Sequence, residues 1–171
     1  MNGTPKTNII LIGMPGAGKS TVGVILAKLT GKAFVDTDVL IQIAEGRTLQ
    51  QILDSEGYLA LRRVEERVLL DLNCRDSVIA TGGSAAYSEA AMHHLKTHGS
   101  VVFLHAGLDT IRRRIHNFDS RGIARHPGQS FGELFAERDA LYSRYADLTL
   151  ELGGLNQEEV AEEIARRLTS G

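Results

Sequence analysis

Asn8-Ile9-Ile10-Leu11-Ile12-Gly13-Met14-Pro15-Gly16-Ala17-Gly18-Lys19-Ser20-Thr21 is the stretch whose reading decides the fold. Its apolar start has the length and β-branching of a buried strand. Gly13 to Ser20 match G-x-x-x-x-G-K-[ST], a loop in which glycines let successive backbone N–H groups turn inward around a phosphate. Val22, Ile25, Leu26 and Leu29 then fall on one helical stripe across 18–30, and Gly31 stands where a helix stops. A helix that begins there directs its positive end at the same phosphate. The candidate nucleotide-binding residues are therefore Gly13, Gly16, Ala17, Gly18, Lys19, Ser20 and Thr21. Lys19 would reach the β- and γ-phosphates of ATP as a point charge, and the Ser20 hydroxyl would ligate Mg²⁺. The plain alternative is a glycine-rich turn that happens to end in Lys-Ser. Its four fixed positions would arise by chance in on the order of one chain in two hundred of this length.

Working outward, short β-branched runs alternate with stretches of helical spacing, the pattern of an α/β fold with a largely parallel sheet. The strands expected are 8–12, 33–36, 77–80, 100–105 and 146–151. Thr48 with Gln51 forms a capping-box pattern, and Ser88 and Asn156 mark two further helix starts. Val160, Ile164 and Leu168 give the last helix a buried face. Residues 117–130 hold Gly122, Pro127 and Gly128 among charges with no clean period, which reads as a mobile loop of the lid kind.

A length of 171 residues suits one domain with a single core. The net charge of -2 and the absence of tryptophan argue against nucleic acid as a partner. Ile9–Ile12 is too short to span a membrane, so neither membrane insertion nor export is expected, and the cytoplasm is the expected location. Cys74 is the only cysteine and reads as a buried structural thiol. A monomer is expected. Adjacent His93 and His94 project about 100° apart on a helix and make no metal pair.

A P-loop alone does not separate kinases from other NTPases. No Asn/Thr-Lys-x-Asp segment of the guanine-reading type is present, and the length fits a small-molecule kinase. Asp36-Thr37-Asp38 falls at the end of the second strand, the edge where ligands gather in an open α/β sheet. Asp36 is also a natural helix N-cap, so a structural and a functional reading stand side by side. Arg62 and Arg63 likewise read either as an anion site or as surface charge, and of Arg112, Arg113 and Arg114 at least two read as a solvated face.

The P-loop, Asp36-Thr37-Asp38, Leu61-Arg62-Arg63-Val64-Glu65-Glu66, Thr81-Gly82-Gly83 and Glu137-Arg138-Asp139-Ala140-Leu141-Tyr142 together resemble the shikimate kinase family, over about residues 8–147. The resemblance implies a five-stranded parallel sheet with helices on both faces, a P-loop NTPase of the nucleoside monophosphate kinase-like kind with a lid. One domain, 1–171, would hold an acceptor-binding helical region at about 37–73 and a lid at about 117–131. It implies ATP-dependent phosphorylation of a hydroxyl on a small anionic metabolite, shikimate, in aromatic amino acid biosynthesis, with ATP and Mg²⁺ as cofactors. Carried over by position, Asp36 helps hold Mg²⁺ with Ser20, and Asp38 binds the acceptor hydroxyl and helps take its proton. Arg62 and Arg138 clamp the substrate carboxylate, Glu65 orients Arg62, and Gly82 and Gly83 admit the substrate. Arg121 swings over the phosphates as the lid arginine; Lys19, Arg121 and Asp38 form the catalytic set.

Departures fall on the acceptor and lid side. Ser84 stands where the family has a third glycine, Leu53 and Leu61 replace ring-lining aromatics, and Arg121-Gly122-Ile123-Ala124 replaces Arg-Pro-Leu-Leu in a slightly short lid. Two other readings remain at this point: a nucleotide-binding regulatory module without transfer activity, and a kinase for another hydroxy acid, of the gluconate type.

Overall fold

The computed structural model describes residues 3 and 5–170; Met1, Asn2, Thr4 and Gly171, at the ends of the expected domain, lie outside the described residues. In chain order the elements are β1 (Asn8–Ile12), α1 (Lys19–Thr30), β2 (Ala33–Asp36), α2 (Thr37–Glu45), α3 (Leu49–Glu56), α4 (Tyr58–Leu70), β3 (Ser77–Ala80), α5 (Glu89–His98), β4 (Gly99–His105), α6 (Leu108–Arg114), α7 (Phe131–Tyr145), β5 (Leu148–Glu151) and α8 (Gln157–Thr169). Short 3₁₀ turns cover Ala85–Tyr87 and Phe118–Ser120.

All five strands are parallel in the order β2-β3-β1-β4-β5. Side chains of a strand alternate between faces, and every residue of β1 is buried, so helices cover both faces of the centre of the sheet. Register brings Leu11 and Asp36 each beside Ala80, which lines up the ends of β1, β2 and β3 on one edge. Ligands collect at that edge in open α/β sheets.

The expected strands agree with those observed, except that β4 begins at Gly99 and β5 at Leu148. Helix starts were legible because polar caps are local chemistry. Thr48 and Gln51 close a reciprocal capping box, Ser88 accepts from the Ala91 N–H at 3.0 Å, and Asn156 accepts from the Glu159 N–H at 2.9 Å. Gly31 ends α1 with φ 67°, in the left-handed region that glycine tolerates best.

Three expectations change. The apolar stripe of α1 turns inward as Val22, Gly23, Leu26 and Ala27, leaving Leu29 more than half exposed. Gly23 and Ala27 are small, so the helix sits close to the sheet and its buried face is centred on them. Cys74 is half-buried at the margin of the core, not enclosed by it. The single core divides in two: a large cluster around the sheet, and a smaller one of Ile41, Ile52, Leu61, Val64, Val68 and Ala124. The smaller cluster exists because α2, α3 and α4 form a layer beyond the strand ends and need apolar filling of their own.

Leu26 is fully buried and Leu29 is not, so the two should respond differently to truncation. Leu26→Ala is expected to lower the unfolding free energy by about 2–5 kcal/mol, and Leu29→Ala by less than about 0.5 kcal/mol, in urea denaturation.

Candidate active site

Beyond the end of β1 the chain must turn sharply beneath its neighbours. Gly13 sits at φ 147°, and a Cβ there would stand 2.7 Å from the Leu104 carbonyl oxygen, so only glycine fits. Gly18, at φ 93°, opens α1 without any side-chain cap, and the first turn carries no acidic residue. The leading N–H groups of α1 thus face the loop mouth with no internal anion to meet them, which is the condition for binding a phosphate. Lys19 folds back over the loop, donating to the carbonyls of Gly13 at 2.7 Å and Met14 at 2.9 Å. Burial pulls its pKa down to about 8, against the nearby Asp38 carboxylate, which pulls it up.

Asp36 caps α2 and also reaches the P-loop. One carboxylate oxygen caps α2 by accepting from the Asp38 N–H at 3.0 Å, and the other accepts from the Ser20 hydroxyl at 2.8 Å. Ser20 is exposed to the loop mouth, and Mg²⁺ keeps several waters when bound by few protein oxygens, so this oxygen pair fits that ion. The described residues contain no cluster of three or more His, Cys, Asp or Glu with metal-binding geometry.

A cleft of about 350 Å³ opens beside the P-loop. Its polar lining includes Lys19, Ser20, Asp38, Glu65, Arg121 and Arg138, contributed by α1, α2, α4, the 117–131 segment and α7. Ile41, Leu49 and Leu61 make an apolar wall; Leu53, expected there, packs in the smaller core cluster. Burial pushes the Asp38 carboxyl above its usual range, and Lys19 opposes that shift.

Gly82 and Gly83 have no unusual backbone angle; they are glycine because side chains crowd them. A Cβ on Gly82 would stand 2.6 Å from Asp38 Oδ1 and 2.8 Å from Glu65 Oε1, and one on Gly83 would stand 2.5 Å from Arg138 Nη1. The approach expected from a substrate is already made by three charged groups.

Arg138 is 1% exposed and makes no ion pair among the described residues. Its Nη2 donates to the Ala124 carbonyl at 2.6 Å, and its Nε is buried without a partner. Tyr142, fully buried, donates to the Gly83 carbonyl and underpins this corner. Arg62 does not line the cleft itself, but Arg138, with its guanidinium 5.6 Å from the ring centroid, faces the same Tyr87 ring as Arg62. The Arg62 guanidinium lies 3.6 Å from the Tyr87 ring centroid and 4.9 Å from that of Tyr58, in an adjoining hollow. Glu65 does not pair with it; the Ser84 hydroxyl donates to Glu65 instead.

Residues 117–130 are irregular apart from one 3₁₀ turn, and Phe131 already opens α7, yet the segment is docked. Ile123 and Ala124 are buried against the cleft, and the Gly122 N–H donates to Gln50 Oε1 at 2.7 Å. Gly122 has φ 74°, outside the reach of proline. Arg121, exposed, faces Lys19 and Asp38 across the cleft. Arg114 also lines it, with Nη1 donating to the Gly16 carbonyl at 3.4 Å, whereas Arg112 and Arg113 lie on the exposed face. The sequence placed Glu65 beside Arg62; Ile123, Ala124 and Tyr142 stood within quoted motifs but without an assigned role, because docking of a loop depends on contacts distant in sequence.

A family model described as "Shikimate kinase" matches residues 15–169. A shikimate kinase from Nitrosospira multiformis is 37% identical over 165 residues, 95% of this chain and 85% of that protein. The solved structure of a shikimate kinase from Acinetobacter baumannii in complex with shikimate superposes with a TM-score of 0.88 at 33% identity, covering 96% of this chain and 93% of that one. The corresponding figures for a shikimate kinase from Aquifex aeolicus are 0.82, 34%, 95% and 96%.

The crowding at Gly83 gives a direct test. Gly83→Ala would drive a methyl group into Arg138 Nη1 and into Pro15, whose Cδ is 2.9 Å away. Turnover is expected to fall at least about tenfold while the far-ultraviolet circular dichroism stays unchanged, because small displacements of positioning groups are costly. Wild-type turnover would mean that these groups give way freely.

Proposed function

This chain belongs to the shikimate kinase family, and from that membership we propose that it transfers the γ-phosphate of ATP to a hydroxyl of shikimate, giving shikimate 3-phosphate. The observation that carries the reading to an acidic acceptor is Arg138, a buried guanidinium that makes no ion pair with a carboxylate among the described residues. A charge in that position is costly unless an anion meets it, and the face next to Gly83 opens to the cleft. Arg138 and, from beyond Ser84 and Glu65, Arg62 are the proposed partners of the acceptor carboxylate. Gly82 and Gly83 leave room beside them, and Leu61 with Ile41 and Leu49 supports the carbon ring. An aliphatic wall serves here because it removes comparable apolar area from water.

Phosphoryl transfer asks a protein mainly for positioning and charge stabilisation. Backbone N–H groups from Gly13 to Thr21 would hold the triphosphate, whose oxygens would replace the loop carbonyls as the partners of Lys19. Asp38, at the other side of the cleft, would orient the attacking hydroxyl and accept its proton; its raised pKa suits a group that must take one up. Arg121 would meet the charge that spreads over the transferring group. Ser20 and Asp36 would hold Mg²⁺, which would supply positive charge to neutralise the transferring phosphates.

The proposal includes a monomer acting in the cytoplasm, with helices α2–α4 as the acceptor region and 117–131 as the lid. The thiol of Cys74 is free and half-buried, in keeping with a reducing compartment, and no helix among the described residues is long and apolar enough to cross a membrane.

Coupled ADP-release assays with shikimate test the reaction. Lys19→Met is expected to abolish transfer. Asp38→Asn should lower kcat by about 10²–10⁴ and leave ADP affinity, measured by calorimetry, nearly unchanged. Wild-type turnover in Asp38→Asn would remove Asp38 from the mechanism, and tight ATP binding with no turnover on shikimate or on any other hydroxy acid would remove the kinase reading.

A further inference from the structure

Arg62 and Glu65 lie one turn apart on α4, close enough to pair, and the structure keeps them apart. The Ser84 hydroxyl takes Glu65 Oε2, and the Tyr87 ring takes the Arg62 guanidinium. These two residues bracket Ala85 and Ala86, so one short turn after β3 splits the pair and holds its halves on opposite sides. Ser84 and Glu65 border both the cleft and the hollow that contains Arg62, and so form the partition between them. Glu65 Oε1, Arg62 Nε and Arg62 Nη2 are left buried with no partner.

We propose that Ser84 is a positioning residue for the acceptor: its hydroxyl holds the Glu65 carboxylate inside the cleft, ionised and turned away from Arg62. This rests on the acceptor cleft proposed above. Geometry supports it first, since Glu65 Oε1 and Asp38 Oδ1 both come within 3 Å of the place a Gly82 Cβ would occupy. Asp38 faces the reacting hydroxyl there, and the free oxygen of Glu65 is placed to accept a hydrogen bond from a second hydroxyl on the same molecule. An ionised carboxylate accepts such a bond more strongly than a neutral acid does.

Charge balance supports it second. Burial, the largest influence, pushes Glu65 up to about 7, and Asp38 of α2 pushes the same way. Against them act the hydrogen bond from Ser84, then Arg138 of α7 and Lys19 of α1. Of the influences that favour the ionised form of Glu65, the hydrogen bond from Ser84 is the largest. Arg62 does not substitute for that donor, because the two tyrosine rings hold it.

The sign follows directly. Above its midpoint Glu65 is ionised and accepts the acceptor's hydroxyl, so kcat/KM for shikimate should climb with pH through that midpoint. Loss of the Ser84 donor should move the climb to higher pH.

The test compares wild type, Ser84→Ala and Ser84→Thr, which keeps a hydroxyl. The Glu65 carboxyl is titrated by isotope-edited infrared spectroscopy, with Glu65→Gln to assign its C=O band. In Ser84→Ala the midpoint is expected to rise by about one pH unit, the equivalent of one hydrogen bond to a charged group. Ser84→Thr should stay at the wild-type midpoint, and thermal unfolding checks that each variant is folded. The acid limb of kcat/KM for shikimate should move with the infrared midpoint, while KM for ATP stays within about twofold of wild type. A midpoint in Ser84→Ala that is unchanged or lower overturns the proposal, with or without a usable threonine variant. If wild type does not phosphorylate shikimate, the function proposed above fails separately, and the infrared titration still decides the role of Ser84.

Discussion

A guanidinium with no protein carboxylate to meet it, buried where the P-loop, the strand ends and the 117–131 segment come together, is the constraint around which this site is organised. Arg138 crowds Gly83 so closely that a side chain there has no room, and Tyr142 fixes the Gly83 carbonyl from beneath. Its Nη2 reaches the Ala124 carbonyl, which pins the middle of the 117–131 segment against α7. Each of these contacts reduces the cost of a buried cation without cancelling it, because a neutral carbonyl only partly replaces water or an anion. The remaining demand for negative charge faces the cleft.

At the opposite wall the P-loop shows the same logic with the other partner missing. Lys19 occupies the carbonyls of Gly13 and Met14, and the uncapped start of α1 directs its N–H groups at the same space. A ligand carrying a polyphosphate at one end and a second ligand carrying a carboxylate at the other would satisfy both walls. Asp38 and Glu65 lie between them, the only acids in the lining, where a hydroxyl must be oriented.

The phosphate wall was legible because it is local. Strand, glycine turn, lysine and helix are contiguous in the chain, and each element has its own short-range cause. The same holds for the caps Thr48, Ser88 and Asn156, and for Asp36, one of whose carboxylate oxygens caps α2. The acceptor wall was legible mainly through resemblance, and there the details diverge. Spacing along α4 put Arg62 and Glu65 together, but contacts from a distant turn, Ser84 and Tyr87, outbid that proximity. Leu53 and Leu61 both looked like wall residues, and only Leu61 points into the cleft. Leu29 matched the helical stripe, yet the small residues Gly23 and Ala27 drew the contact face of α1 around to their own side. For Arg62 and Glu65 the deciding partners lie outside their own helix, where periodicity carries no information.

Ala124 belongs to the smaller core cluster, and Gly122 is tied to Gln50 of α3. The apolar foot of this segment thus stands in the same cluster that walls the cleft, and its backbone is tied to α3. If the segment serves as the lid, lifting it requires Ala124 to leave that cluster and Gly122 to give up Gln50, so residues remote from the reacting atoms would then influence how fast ligands come and go.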